Sequence, residues 1–242
     1  MNRSPFPFQD FVRAKHSLRS ALCQDDETWV LLTGDTGTGK TALLRELKAE
    51  LDRARFRVLY FSQARRLGPA GLVKVVGESL RVRTSMCHSV TLDRLVRALA
   101  GETQQLLLWL DEAHELSRET LGEARALVES GLEEGRRVKI VLVGLPRLRA
   151  ELQAHASLWR RIGVREEISG LVFDELEPFL AHHFAGHEKR LSEPGLSALF
   201  ERAKGAPGLV LPMYRAILAQ AGTKGRIELE AVTDAIDRWD LA

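Results

Sequence analysis

Short apolar runs alternate along the chain with longer segments in which apolar residues recur every three or four positions. The apolar runs predict five strands, at residues 28–33, 56–62, 105–110, 138–143 and 164–171. The periodic segments between them predict helices, at residues 40–53, 71–80, 92–100, 117–135 and 146–161. Strands that alternate with helices are typical of an α/β fold with a parallel sheet. The run at 105–110, QLLLWL, is nearly all apolar, which indicates a central strand covered on both faces.

The strand pattern stops after Phe173. Four helical segments follow, with Gly or Pro between them, at residues 174–184, 192–204, 212–221 and 229–239. We therefore predict two domains: an α/β nucleotide-binding core over residues 1–172, in which helices sandwich a five-stranded parallel sheet, and a small all-helical lid over residues 173–242.

Composition narrows the class of protein. The 242 residues are 45% hydrophobic and 28% charged, as in ordinary soluble proteins. No apolar run approaches the roughly 18 residues that a membrane helix needs, and the N-terminus lacks the apolar stretch of a secretory signal. The expected location is cytoplasmic, with no membrane partner. Cys23 and Cys87 lie apart from any metal-binding pattern, so we expect neither a disulfide nor a zinc site.

Charge is unevenly distributed, although the net charge is only +2. The first 100 residues carry 17 Lys and Arg against 10 Asp and Glu. Within residues 53–97 there are ten basic side chains and two acidic ones. This asymmetry indicates a surface for a polyanion, and the alternative is a solvated basic helix face.

A phosphate-binding loop is predicted between the first strand and the following helix. Gly34, Gly39, Lys40 and Thr41 match every fixed position of G-x-x-x-x-G-K-[ST]. Asp35, Thr36, Gly37 and Thr38 occupy its variable positions and complete the predicted loop. Such glycines let backbone N–H groups wrap the phosphates of ATP, and the helix adds its positive N-terminal end. Lys40 is expected to neutralise the β- and γ-phosphates, and the Thr41 hydroxyl to ligate Mg²⁺.

Two carboxylates end the central strand about 70 residues later. Asp111 is expected to hold Mg²⁺ through water, and Glu112 to orient and deprotonate the attacking water. The pair therefore predicts ATP hydrolysis rather than nucleotide binding alone. We interpret His114 beside it as a packed histidine, with coupling of the site to a partner as the alternative. Phe56, Tyr60 and Phe61 in the second strand are predicted to lie in the core, with stacking on bases as the alternative.

With these motifs in place, the chain resembles the AAA+ superfamily. More narrowly, it resembles the ExeA/TniB group, which includes bacterial transposition ATPases of the TniB, TnsC and MuB type. The likeness runs over nearly the whole length, through segments beyond the phosphate loop at residues 16–22, 111–116, 139–148 and 159–163.

The resemblance implies a catalytic arginine that reaches the ATP of a neighbouring subunit. Arg161 occupies that place, with Arg160 as the adjacent candidate, and a cation at a helix C-terminus is the alternative interpretation. Two departures stand out. Leu145 replaces the polar residue that usually senses the γ-phosphate, and residues 204–208 of the lid lack the usual arginine after Pro207. We expect slow hydrolysis that depends on assembly or on DNA.

Relatives in the transposition branch form ATP-dependent rings or helical filaments around duplex DNA and recruit a transposase. The resemblance thus implies homo-oligomers, sequence-nonspecific DNA binding and a transposition partner. The candidate DNA contacts are Arg65, Arg66, Lys74, Arg81 and Arg83. Two alternatives stay open: an ExeA-like ATPase coupled to secretion or envelope machinery, and a nucleotide-gated signalling or defence switch. Salt-sensitive, ATP-dependent binding to duplex DNA separates these hypotheses.

Overall fold

The computed structural model describes residues 4–24, 28–62, 67–85, 87–133, 138–186, 190–221 and 225–240. The chain forms two compact units. One contains residues 1–14, 34–43 and 168–242, and the other contains residues 15–33 and 44–167. The domain boundary near residue 172 stays a prediction.

A five-stranded sheet organises the second unit. Its strands are β1 (Trp29–Gly34), β2 (Phe56–Phe61), β3 (Gln105–Leu110), β4 (Val138–Gly144) and β5 (Ile162–Ile168). They lie in the order β2-β3-β4-β1-β5. The pairs β1–β4, β2–β3 and β3–β4 are parallel, so these strands end at one edge of the sheet. This confirms the predicted α/β fold with five parallel strands.

Alternate residues of a strand point to opposite faces of the sheet, and both faces of the central strands are buried. On one face, Leu108 and Ile140 share a core cluster with residues of the helices that follow β2, β3 and β4. The next residues along β3 and β4, Trp109 and Val141, point to the opposite face and are also buried. The nearly unbroken apolar runs follow from this two-sided burial.

Helices precede, connect and cover the strands. Their bounds are α1 (Gln9–Cys23), α2 (Lys40–Glu50), α3 (Pro69–Ser79), α4 (His88–Gly101), α5 (Arg118–Glu133), α6 (Pro146–Gln153) and α7 (Ala156–Trp159). Helix α1 is not among the predicted elements, although Phe11, Ala14 and Leu18 are buried at helical spacing. The single helix predicted over 146–161 is two helices, because the backbone of His155 leaves the helical region (φ −109°, ψ 79°).

The C-terminal part of the first unit is helical, as predicted. It contains α8 (Leu176–His183), α9 (Glu193–Ala203), α10 (Pro207–Ala221) and α11 (Leu229–Asp240). Helix α9 begins at a cap in which the Ser192 hydroxyl accepts the N–H of Gly195 at 3.3 Å. Helix α10 begins at Pro207, earlier than the predicted residue 212, and Pro212 lies inside it. Within the described ranges, no helix is both long and apolar enough to cross a bilayer.

Candidate nucleotide site

The predicted phosphate loop connects the end of β1 to the start of α2. Gly37 and Gly39 have φ values of +82° and +104°, in the region that favours glycine. The chain makes a tight turn over residues 35–38, in which the N–H and the hydroxyl of Thr38 donate to the carbonyl of Asp35 at 3.4 and 2.9 Å. The two glycines therefore give the loop a curvature that residues with a side chain rarely adopt.

Lys40 is the first residue of α2, and it is 8% exposed. Its ammonium group donates to the carbonyls of Gly34 at 2.7 Å and Asp35 at 2.8 Å. The positive charge is thus held directly at the loop. Thr41 follows in the first turn of α2 and is exposed. A curved glycine loop, a buried ammonium group and a helix N-terminus together fit a polyphosphate.

The start of α10 also contacts the loop, which the sequence pattern does not predict. The N–H of Gly208 donates to the carbonyl of Gly37 at 2.8 Å. A Cβ at position 208 would stand 2.8 Å from the Cα of Gly37, so a larger residue would push the two segments apart. Gly208 thus belongs to the surroundings of the loop. The only local signal is the Gly-Pro-Gly composition of residues 205–208.

Asp111 is the first residue after β3, and it is 5% exposed. Both carboxylate oxygens accept hydrogen bonds: Oδ1 from the N–H of Glu112 at 3.0 Å and Oδ2 from the hydroxyl of Tyr60 at 2.8 Å. These bonds fix the plane of the carboxylate. An oriented, nearly buried carboxylate at a strand end is suited to hold Mg²⁺ through water.

The prediction that Tyr60 lies in the core is wrong. Its side chain belongs to β2 and is 39% exposed, with the phenol oxygen directed to Asp111. Partial burial, and then the hydrogen bond to the Asp111 carboxylate, raise the pKa of Tyr60 to about 12. The pattern of β2 gives no signal of this contact, since the two residues are 51 positions apart.

Glu112 lies in a strained backbone conformation. Its φ and ψ are 54° and 37°, in the left-handed region that residues other than glycine seldom occupy. The side chain is 49% exposed, and its Oε2 lies 3.5 Å from Nε2 of His114. The carboxylate is thus partly open to solvent and lies beside the imidazole of His114.

The two arginine candidates follow α7. Arg160 is exposed. Arg161 donates to the carboxylate of Glu129 on α5, which also accepts a hydrogen bond from Arg125 at 2.9 Å. Arg125 first and then Arg161 lower the pKa of Glu129. The structure therefore places Arg161 in a cation–carboxylate cluster of its own subunit.

Of the candidate DNA contacts, Arg65 and Arg66 lie outside the described residues. Lys74 is exposed on α3, at 4.0 Å from Glu78. Arg81 and Arg83 are exposed just after α3, and the carbonyl of Arg83 accepts from Arg94 at 3.0 Å. The three described candidates thus lie on or just after one helix of the second unit.

Comparisons with known proteins agree with the fold. The model of the AAA domain family matches residues 23–152, more than half of the chain. No curated protein sequence matches significantly.

Similar solved structures include Cdc6p from Pyrobaculum aerophilum, with a TM-score of 0.73 at 20% identity over 98% of this chain and 69% of that one. ORC1 from Aeropyrum pernix in complex with DNA has a TM-score of 0.66 at 20% identity, and the match covers 99% of this chain and 66% of that one. The RuvB Holliday junction branch migration motor of Thermotoga maritima has a TM-score of 0.57 at 16% identity, and the match covers 96% of this chain and 68% of that one. The chain thus spans about two thirds of the length of these proteins, and at such identities the likeness concerns the fold.

Proposed function

Since the chain belongs to the AAA domain family, we propose that it is a Mg²⁺-dependent ATPase that oligomerises on duplex DNA and regulates DNA transposition. The observation that carries the ATPase proposal is the loop over residues 34–41, in which the Lys40 ammonium group is held against the carbonyls of Gly34 and Asp35 and follows two positive-φ glycines. This arrangement concentrates N–H donors and one ammonium charge, which is what a triphosphate requires.

Each side chain of the site then has one task. Lys40 would bind the β- and γ-phosphate oxygens, and the Thr41 hydroxyl and the Asp111 carboxylate would hold Mg²⁺. When bound, Mg²⁺ neutralises charge on the phosphate oxygens. Glu112 accepts a proton from the attacking water, because its carboxylate is partly exposed and follows a strand end. Tyr60 keeps the Asp111 carboxylate oriented through its hydroxyl.

A substitution of Lys40 tests the ATPase proposal. We expect Lys40→Ala to weaken binding of a fluorescent ATP analogue by at least about tenfold and to abolish Mg²⁺-dependent phosphate release, because no other side chain of the loop carries a positive charge. Arg238→Ala, at an exposed arginine of α11, is the control and should leave both quantities unchanged. Intact affinity and turnover in Lys40→Ala would remove the proposal.

The DNA part of the proposal is supported by exposed cations and by similar folds. Lys74, Arg81 and Arg83 lie on or just after α3, where repetition in every subunit would present cations along a phosphate backbone. Among the similar structures, ORC1 was solved in complex with DNA, and RuvB is a Holliday junction branch migration motor. A transposase or another transposition protein is the proposed partner of the assembled, ATP-bound form.

Salt-dependent binding tests this part. We expect affinity for duplex DNA to require ATP and to fall steeply with salt. Replacing Lys74, Arg81 and Arg83 together by Gln should lower the log–log salt slope by about 0.9 for each lost phosphate contact.

A triple Gln variant at exposed arginines elsewhere, Arg202, Arg226 and Arg238, is the control. An equal decrease of the salt slope in both triple variants would contradict the assigned DNA-binding surface. ATP binding without any DNA binding would favour a signalling, defence or secretion role. A requirement for a transposase is tested by ATP-dependent co-purification with any transposase encoded beside the gene.

A further inference from the structure

His114 lies in a short 3₁₀ turn, Ala113–Glu115, directly after the carboxylate pair. Its side chain is only 4% exposed. The ring is confined by the end of β4, since a Cβ at Gly144 would stand 3.0 Å from Nδ1 of His114 and 2.9 Å from Cδ2 of Leu148. The imidazole therefore occupies a narrow space that a glycine at position 144 leaves open.

One ring nitrogen is committed to the backbone of β4. The N–H of Leu145 points to Nδ1 of His114 at 3.3 Å. A backbone N–H can only donate, so Nδ1 must be the acceptor and carries no hydrogen. The hydrogen of the neutral ring is then on Nε2, and this assignment follows from the hydrogen-bond network.

The other ring nitrogen faces the proposed catalytic carboxylate. Nε2 of His114 lies 3.5 Å from Oε2 of Glu112. Since Nε2 bears the hydrogen, the edge of the ring that faces Glu112 is a donor. Glu112 needs such a restraint because its side chain is 49% exposed and its backbone is in the left-handed region.

From these contacts we infer that His114 is a positioning residue, which links the backbone at the end of β4 to the Glu112 carboxylate and so orients that carboxylate toward the attacking water. The inference rests on the proposed ATPase function. It assigns His114 a task that differs from simple packing, since packing needs only the shape of the ring whereas positioning needs a hydrogen on Nε2. A neutral N–H donor facing the carboxylate restricts its orientation without taking part in the proton transfer.

Two substitutions of His114 separate these roles. In His114→Asn the side-chain oxygen can still accept from Leu145, but nothing reaches Glu112. In His114→Gln the longer side chain carries an N–H group toward Glu112. We expect His114→Asn to lower kcat about 10- to 100-fold, with the dissociation constant for the ATP analogue within about twofold of wild type. His114→Gln should recover most of the lost kcat, and both variants should melt near the wild-type temperature.

The tautomer is measured independently of activity. Long-range ¹H–¹⁵N NMR of the wild-type protein, with His114 assigned from the spectrum of His114→Gln, should show a protonated Nε2 and an unprotonated Nδ1. A ring with its hydrogen on Nδ1 would overturn the inference even where a variant fails to fold.

The outcomes distinguish this inference from the function on which it rests. An active wild type with unchanged kcat in His114→Asn overturns only the role of His114. A wild type that releases no phosphate from ATP, with or without duplex DNA, overturns the proposed function and this role together. A loss of kcat in His114→Asn, rescued by His114→Gln, supports both.

Discussion

Glu129 joins two arginines on the surface of a single subunit. It accepts hydrogen bonds from Arg125, in the same helix, and from Arg161, which follows α7. An arginine that acts on the ATP of a neighbouring subunit has to leave such a partner first. Exposed ion pairs contribute little to stability, so the cluster opposes this movement only weakly.

Glu129 also predicts a pH dependence of stability. The two arginines lower its pKa in the folded state from the ordinary 4.5. The stabilisation is therefore present above pH 4.5 and is lost as the pH falls through the lowered pKa. We expect Glu129→Gln to unfold more easily than wild type at neutral pH, by about 0.5 kcal/mol or less because the pair is partly exposed. Urea unfolding of both proteins from pH 7 down to about pH 3 measures the difference, which should shrink with acid. A difference in unfolding free energy that stays constant over this pH range would contradict the assignment of the pH dependence to Glu129.

At the scale of elements, the end of α3 has an unusual residue. The N–H of Val82 donates to the carbonyl of Gly77 at 2.8 Å, and that of Arg81 to Glu78 at 3.1 Å. This is the pattern in which a left-handed residue, usually glycine, ends a helix. Here Arg81 takes that place with a φ of 57°. Glycine would be less strained than arginine at this position.

Arg81→Gly should therefore separate stability from binding. We expect it to raise the free energy of unfolding by about 1 kcal/mol, because glycine adopts the left-handed conformation without strain. The same substitution should weaken duplex DNA binding. Denaturant unfolding and a DNA titration measure the two effects. Arg83→Gly is the control, since Arg83 is not among the positive-φ residues, and it should weaken DNA binding without stabilising the fold.

Helix α1 is held to the sheet by a buried cation. Lys139 on β4 is 1% exposed, and its ammonium group donates to the carbonyls of Ala21, at 3.1 Å, and Gln24. These carbonyls belong to the last turn of α1 and the residue just beyond it, where a helix lacks internal donors. The positive charge also suits the negative end of the helix.

We expect Lys139→Met, which keeps the length of the side chain, to destabilise the protein by about 1–3 kcal/mol, because buried carbonyls lose their donor. Hydrogen exchange should accelerate in the last turn of α1. Lys74→Met, at an exposed lysine, should change stability by no more than about 0.5 kcal/mol. A neutral effect of Lys139→Met would show that packing alone holds the helix.

At the scale of the whole molecule, the proposed active site needs a second subunit. Glu112 is proposed to act within its own subunit, whereas Arg161 is proposed to act on the ATP of the neighbour, an effect worth about 10³–10⁵ in related chemistry. Arg160 is the other candidate for this position. Mixing two inactive variants distinguishes these possibilities.

Arg161→Ala and Glu112→Gln should each be nearly inactive alone. Mixed in equal amounts, they should recover about a quarter of the wild-type rate, because random head-to-tail assembly joins an intact Glu112 to an intact Arg161 at that frequency. Steady-state phosphate release at protein concentrations that permit assembly measures the recovery. If Arg160→Ala is inactive alone and recovers activity when mixed with Glu112→Gln, Arg160 is the arginine that acts between subunits. No recovery with either arginine variant would contradict catalysis between subunits.

Much of the fold could be predicted from local patterns. Each strand lies within a few residues of its predicted bounds, since a strand buried on both faces must be apolar at nearly every position. Helix α1 was not predicted, because charged residues interrupt its apolar ones. The break at His155 was not predicted either, because no glycine or proline marks it. The roles of the predicted site residues stay predictions.

The sequence by itself determined the order of strands and helices, the loop at residues 34–41 and the acidic pair that ends β3, because each depends on neighbouring residues at fixed spacing. Only the tertiary structure decided which side chains meet. Tyr60 contacts Asp111 across 51 positions, His114 contacts Leu145 across 31, and Arg161 contacts Glu129 across 32. Such pairs form where the sheet and its helices bring distant segments together, and no local periodicity encodes them.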